Sequence, residues 1–198
     1  GFFSNLGSTE DQIAVIVGGN GIVFTSITSN ADPSIFILGG RPGEHQFPDG
    51  QTDWAHIIVV YEDDMLVAGN MGARAYFNGI PQLPFAAFFL TSNANHAQYT
   101  NTSNNSTFGG KLEGDSVSLD MAGEMNSLFV YDIALNDLQA AAIYNSGNPV
   151  DLLTDLANDP HTDDLTHYYK NLNNHDDAKG TSNGSAVNNA NFVTDTPY

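Results

Sequence analysis

The acidic residues are the first side chains to examine for catalysis, because hydrolysis of a glycosidic bond needs two carboxyl groups held at a fixed separation. Glu113 and Asp115 stand two positions apart with only Gly114 between them, and no third carboxylate follows at the same spacing. We therefore predict that both are solvated turn residues and that the protein is not an enzyme. The alternative, a glycoside hydrolase or lyase, would depend on Glu113 or Glu124.

The histidines show no spacing typical of a zinc site. No two of them are four positions apart, and no HExxH motif occurs. The chain also lacks cysteine. We predict no metal site, and we expect His56 to be a hydrogen-bonded histidine at the start of a strand. The six histidines are His45, His56, His96, His161, His167 and His175.

Calcium is the cation that acidic loops are best suited to bind, because it takes carboxylate and carbonyl oxygens as ligands. Three acidic runs could supply them: Glu62-Asp63-Asp64, Asp163-Asp164 and Asp176-Asp177. None has the spaced D-x-D-x-D-G arrangement of a dedicated calcium loop, so solvated charge is the favoured interpretation. We therefore predict no cofactor, with calcium binding left open.

The charge of the chain excludes several classes of partner. Lys and Arg number 5 against 23 Asp and Glu, which gives a formal net charge of −18. Nucleic acids and anionic membranes both require a lysine and arginine surface that this chain lacks. Apolar runs also fall short of the roughly 18 residues that cross a bilayer. We predict no nucleic-acid partner and no membrane insertion.

One long polar segment is a candidate binding loop. Residues 91–107 are rich in Asn, Ser and Thr and are too long for a simple connection. Asn95, His96, Tyr99 and Asn101 could bind a glycan through a ring, amides and an imidazole. A loop built for contacts between subunits is an equally good interpretation.

Alternating apolar residues predict strands along most of the chain. Residues 12–17 and 22–27 are predicted to form a hairpin across a Gly-rich turn, and Asn78-Gly79 is predicted to form a second tight turn. Residues 54–61 are apolar on both faces, which is typical of a central strand with Trp54 in the core. Further strands are predicted at 34–38, 117–121, 125–131 and 165–169.

One helix interrupts the strands. Asn136 can cap it, Gln139 can complete a capping box and Gly147 can end it. A helix of about nine residues is not stable alone in water, so we predict that it docks on a sheet through Leu138 and Ala142.

Six short motifs follow one another along the chain: Trp54-Ala55-His56, Ala75-Tyr76-Phe77-Asn78-Gly79, Gly109-Gly110, Gly123-Glu124-Met125, Val130-Tyr131-Asp132-Ile133-Ala134-Leu135 and Ile143-Tyr144-Asn145. Their order and spacing resemble the laminin-G-like, concanavalin-A-like jelly roll. This resemblance implies an all-β fold, a two-sheet antiparallel sandwich with one short helix, over residues 1–170. We expect residues 171–198, which are rich in Asn, Asp and Gly, to form a C-terminal arm.

The continuation over residues 145–152 is similar to laminin-G-like proteins of marine phage particles. We therefore expect a non-catalytic structural or adhesive module of an extracellular assembly, with a virion component (a capsid decoration, tail or fibre protein) as the leading hypothesis. Its partners would be neighbouring protein subunits, contacted through the sandwich edges and the C-terminal arm. The alternative is a lectin-like carbohydrate-binding module, calcium-dependent or not.

Overall fold

A computed structural model of the chain provides the coordinates. It describes the backbone of residues 3–5, 12–18, 21–27, 33–38, 54–67, 70–82, 84–88, 107–108, 111–113, 116–118, 124–148, 150–155, 157, 161–170 and 174–186. Side chains are described for residues 54–60, 74–81, 124–148, 150–155, 157, 161–170 and 174–186.

The described part of the chain consists mostly of strands, with one short α-helix, α1 (Asp137–Tyr144), between the last two. The strands are β1 (Phe3–Asn5), β2 (Gln12–Gly18), β3 (Gly21–Ile27), β4 (Pro33–Leu38), β5 (Ile57–Val67), β6 (Asn70–Phe77), β7 (Ile80–Gln82), β8 (Pro84–Phe88), β9 (Thr107–Phe108), β10 (Lys111–Glu113), β11 (Ser116–Ser118), β12 (Leu128–Tyr131) and β13 (Leu165–Tyr169).

The largest sheet has the strand order β8-β4-β3-β2-β1-β9, and its neighbouring strands are antiparallel. Gly18 of β2 faces Gly21 of β3, which confirms the predicted hairpin at residues 12–27. Antiparallel neighbours joined by a short Gly-rich turn are the expected result for runs of alternating Val and Ile. The other sheets are β5-β6-β7, β10-β11 and β12-β13.

The chain forms two compact units. The first comprises Gly1–Asp53, Val59–Ala75 and Gln82–Ala122. The second comprises Trp54–Ile58, Tyr76–Pro81 and Gly123–Tyr198, and it contains β12, β13 and α1.

The core of the second unit is built around Tyr76 and Leu165, whose side chains are fully buried. The Tyr76 hydroxyl donates to Asp137 Oδ1 at 2.7 Å, so the polar end of the ring is satisfied at the first turn of α1. Further buried apolar residues of this unit are Ile58, Leu135, Ala140, Ile143, Leu152 and Tyr168.

The start of α1 confirms the sequence prediction. Asn136 Oδ1 accepts from the backbone N–H of Leu138 and of Gln139, and the Asn136 N–H donates to Gln139 Oε1 at 2.7 Å. These reciprocal bonds form the predicted capping box. The prediction that the helix docks through Leu138 is wrong, because Leu138 is 83% exposed to solvent.

The buried residues of α1 are Ala140 and Ile143, three positions apart on one face of the helix. Leu138 is two positions before Ala140 and therefore lies on another face. The helix also ends earlier than predicted. Asn145 already has the left-handed φ of 47° that ends a helix, two residues before Gly147.

The turn at Asn78-Gly79 confirms the predicted hairpin connection, between β6 and β7. Its φ angles are 49° and 73°, the positive values that this sequence tolerates. Glycine is also required at position 79 for steric reasons, because a Cβ there would lie 2.8 Å from Tyr144 Cδ1.

The prediction that Trp54 is a core anchor is wrong. Trp54 is 38% exposed, and it precedes β5, which begins at Ile57. The buried positions at this end of β5 are held by Ile58 and Val60 instead. An apolar run beside a strand does not by itself fix which residue the strand buries.

Candidate functional site

The densest polar network in the described residues is the Asp177 cluster, formed by Asp177, His167, Tyr169, Gly180 and Ser182. The segment that follows β13 returns to that strand, and Asp177 bridges Tyr169 in antiparallel fashion. The N–H of the residue after Asp177 donates to the Tyr168 carbonyl at 2.8 Å. The Tyr168 N–H donates at 3.0 Å to the Asp177 side chain rather than to a backbone carbonyl.

Five donors hold the Asp177 carboxylate. Oδ1 accepts from the backbone N–H of Tyr168 at 3.0 Å, and from those of Lys179 and Gly180 at 3.2 Å and 2.9 Å. Oδ2 accepts from His167 Nδ1 at 2.6 Å and from the Ser182 N–H at 3.3 Å. The side chain is fully buried, so these contacts replace its water shell.

Burial and hydrogen bonding act in opposite directions on this carboxyl group. Burial by itself would raise the pKa of Asp177, but the hydrogen bonds from His167 and from backbone N–H groups outweigh it. They hold the pKa of Asp177 well below the usual range of an aspartate. Asp177 is therefore an anion near neutral pH, with both oxygens engaged by the chain itself.

Gly180 lets the segment approach the strand this closely. A Cβ at position 180 would collide with Asp177 Oδ2 and would lie 2.9 Å from both His167 Nδ1 and the Thr166 carbonyl oxygen. Any side chain would therefore push the segment away from β13.

His167 joins the buried carboxylate to the surface. Its side chain is 36% exposed, and its Nδ1 bonds to Asp177. In the neutral ring this Nδ1–H leaves the lone pair on Nε2. The ring lies 6.4 Å from that of Tyr169, with 23° between the two planes.

The Tyr169 hydroxyl donates to the Ser182 carbonyl at 2.6 Å. Burial raises the pKa of Tyr169, and the Asp177 charge raises it further. The hydroxyl therefore remains a donor across the neutral pH range.

The two lysines at this site are engaged by the chain. Lys170 Nζ bonds to Asp151 Oδ2 at 2.8 Å and lies 5.5 Å from the centre of the Tyr168 ring. Lys179 Nζ donates to the Thr162 carbonyl at 2.8 Å. Both cations thus fasten neighbouring segments to each other.

A second polar link joins α1 to the 3₁₀ turn at Thr162–Asp164. His161 Nδ1 lies 3.1 Å from Asp164 Oδ2, and its Nε2 contacts the side-chain amide nitrogen of Gln139. Because Gln139 Oε1 already accepts from the helix cap, its amide group is oriented toward His161. This link fixes the turn against the start of the helix.

His56 lies in an aromatic environment rather than a polar one. Its ring centre is 5.9 Å from that of Phe129 and 5.7 Å from that of Tyr144. Burial lowers the pKa of His56 to about 4. The sequence predicts that His56 is hydrogen-bonded, and for its ring this prediction is wrong. The ring atom Nδ1 is buried without a hydrogen-bond partner among the described residues.

The predicted glycan-binding residues Asn95, His96, Tyr99 and Asn101 lie outside the described residues. So do the side chains of Glu62-Asp63-Asp64 and of Glu113, whose backbone ends β10 opposite Ser116. Asp115 lies outside as well, and Glu124 is exposed.

From its sequence context Asp177 is a candidate calcium ligand only, and the role that its carboxylate has here was not predicted. The signal was the short run Asp177-Ala-Lys-Gly180 after a strand, because an aspartate followed by glycine favours a turn closed by its own side chain. The sequence of residues 177–180 does not indicate which other residues the turn contacts.

Within the segments that the structure describes, no three His, Asp or Glu side chains converge as they would around a metal ion. The candidate calcium residue Asp176 is exposed and accepts from Asn174 Nδ2 at 2.6 Å. Among the same segments, no helix has both the length and the apolar character needed to cross a membrane. Neither a protein-family model nor a curated protein nor a solved structure matches the chain.

Proposed function

We propose that this protein is a non-catalytic structural or adhesive module of an extracellular assembly, and that the assembly is a phage particle in which it serves as a capsid decoration, tail or fibre protein. The Asp177 cluster carries the proposal. The hydrogen bonds of its carboxylate hold a polar segment against β13. A carboxylate that stays ionised and hydrogen-bonded in this way is a poor proton donor or acceptor near neutral pH.

The fold that accompanies this proposal is a two-sheet jelly-roll sandwich. Antiparallel pairing between neighbouring strands, with one short α-helix among the described residues, supports it. The resemblance of residues 145–152 to laminin-G-like proteins of marine phage particles supports the virion assignment. Fold alone does not carry function, so the assembly needs its own test.

The surface chemistry supports contacts between protein subunits. Charged residues make up only 14% of the chain, and the formal net charge is −18. Identical copies therefore repel one another at low ionic strength, and added salt screens this repulsion. We expect association to strengthen as salt is raised.

The test measures molar mass by size-exclusion chromatography with light scattering over a salt series, together with mass spectrometry of purified particles. Asp177→Asn is compared with Asp176→Asn, which removes the same charge at the adjacent exposed position. We expect higher mass with added salt, and weaker association for Asp177→Asn only. A strictly monomeric protein that is missing from particles would refute the proposal.

A further inference from the structure

The docking segment, residues 174–186, closes on itself through its own hydrogen bonds. Asp177 accepts from three backbone N–H groups of the segment, and its N–H donates to Asn183 Oδ1 at 2.9 Å. The Gly184 N–H donates to the His175 carbonyl at 2.8 Å. A unit ordered by internal bonds loses less conformational freedom when it docks on another surface. The docking segment is therefore pre-organised for binding.

A second set of hydrogen bonds attaches the docking segment to the receiving stretch, residues 162–169. The Asp177 carboxylate accepts from the Tyr168 N–H at 3.0 Å and from His167 Nδ1 at 2.6 Å. Further bonds of this set join the Ala178 N–H to the Tyr168 carbonyl, the Tyr169 hydroxyl to the Ser182 carbonyl, and Lys179 Nζ to the Thr162 carbonyl. The receiving groups all belong to β13 and to the 3₁₀ turn directly before it. One copy of the chain therefore supplies the complete receiving stretch.

The docking segment has little apolar surface of its own. Asp177 is its only buried residue, and its two alanines, Ala178 and Ala186, are exposed. Leaving β13 therefore breaks hydrogen bonds rather than hydrophobic contacts, and the same bonds can form again on an identical chain. The segment holds two aspartates and one lysine, so it adds little to the repulsion between copies.

We propose that the docking segment of one copy binds the receiving stretch of a second copy, so that neighbouring subunits are joined by exchange of this segment. Exchange preserves the bonds of the Asp177 cluster, because donor and receiver are the same as within one chain. In dilute solution a chain's own segment is favoured by its high effective concentration, and this advantage shrinks where copies are concentrated in an assembly. The inference rests on the structural role proposed above and names the partner, a second copy.

The test mixes two full-length variants whose defects complement each other, with added salt. Asp177→Asn damages the docking segment, and the double variant His167→Ala/Tyr169→Phe damages the receiving stretch. The intact segment of the double variant can then dock on the intact β13 of Asp177→Asn. We expect the Tyr168 amide signal of isotope-labelled Asp177→Asn to return toward its wild-type position. The mean molar mass should rise toward that of a dimer.

Two partner chains serve as controls. A triple variant that adds Asp177→Asn to the double variant has no intact segment, so it should leave the Tyr168 signal unchanged. Adding Asp176→Asn instead should still restore the signal, because Asp176 is exposed.

A synthetic peptide of residues 174–186 gives a second measurement. It should bind full-length Asp177→Asn about tenfold or more tightly than the same peptide carrying Asp177→Asn, because the charged acceptor is lost. Calorimetry measures both affinities. Lys179→Met removes only the bond to the Thr162 carbonyl, and it replaces the full-length Asp177→Asn chain in this titration if that variant does not fold.

Two results would overturn the inference. One is a Tyr168 signal that neither the double variant nor the peptide moves, and the other is an equal shift with the triple variant. The presence of the protein in particles is measured separately. Exchange can therefore occur in a protein that is missing from particles, and a particle component can associate without exchange.

Discussion

Two hydrogen bonds join Asn78 to His56, although these residues lie 22 positions apart in the sequence. The Asn78 N–H donates to the His56 carbonyl at 2.8 Å, and the His56 N–H donates to Asn78 Oδ1 at 2.8 Å. The residue that forms the tight turn thus also fixes the backbone that carries the buried imidazole. A change at Asn78 would affect the hairpin and the His56 environment together.

His56 should make stability depend on pH in a defined window. Its pKa falls from 6.5 to about 4 in the folded chain, so between these values the unfolded chain binds the proton and the folded chain does not. The free energy of unfolding is therefore unaffected by His56 above about pH 6.5, and it declines by roughly 3 kcal/mol as pH falls toward 4. Urea unfolding at several pH values measures this decline.

His56→Phe should remove the decline in that window, because the ring environment is aromatic and a phenyl ring needs no proton. Leu138→Ala is the control, since it changes an exposed side chain that has no titratable group and should leave the slope in place. Equal pH dependence in the wild type and in His56→Phe would contradict the assignment.

Asp177→Asn should destabilise the second unit by about 2 to 4 kcal/mol. The amide loses the charge that strengthens five hydrogen bonds, and its NH₂ group faces donors instead of acceptors. Asp176→Asn should change stability by less than about 0.5 kcal/mol, because that side chain is exposed. Thermal unfolding and amide exchange at Tyr168 and Gly180 measure the difference.

The Asp177 carboxylate should also make the stability of the folded chain depend on pH in acid. Its pKa is lower in the folded chain than in the unfolded chain, so its stabilisation is complete above about pH 4 and is lost as pH falls further. The wild type should lose stability over this acidic range, and Asp177→Asn should lose less. Identical acid profiles for the two proteins would show that Asp177 is not the group responsible.

Gly180→Ala should be more harmful than Gly184→Ala. A methyl group at position 180 would meet Asp177, His167 and a backbone carbonyl at once, so the whole cluster must shift. At position 184 the nearest atom is His175 Cβ at 3.3 Å, which a small movement can accommodate. We expect a loss of about 2 kcal/mol for the first variant and under about 1 kcal/mol for the second.

At helix α1, the cap should matter more than the exposed leucine. Asn136→Ala removes the acceptor for two backbone N–H groups and should cost about 1 kcal/mol. Leu138→Ala should change stability by less than about 0.5 kcal/mol, because the side chain is exposed. Chemical denaturation of both variants checks this, and a larger loss for Leu138→Ala would indicate that another surface covers it.

Local chemistry was predictable from the sequence, and burial was not. The Asn78-Gly79 turn and the capping box at Asn136 depend on residues within four positions, so the sequence alone predicts them. Hydrophobicity predicts that Trp54 and Leu138 lie in the core, but neighbours distant in sequence decide which face a segment buries. The role of Asp177 depends on contacts nine and ten positions away, which no local pattern encodes.

Between residues 174 and 186, Asp177 is the only buried residue, and the segment is fastened by hydrogen bonds rather than by apolar contact. Apolar contacts weaken on cooling, whereas an attachment of this kind loses no hydrophobic contribution when the temperature drops. The segment should therefore stay fastened in the cold, where an interface built from leucine and valine would begin to loosen.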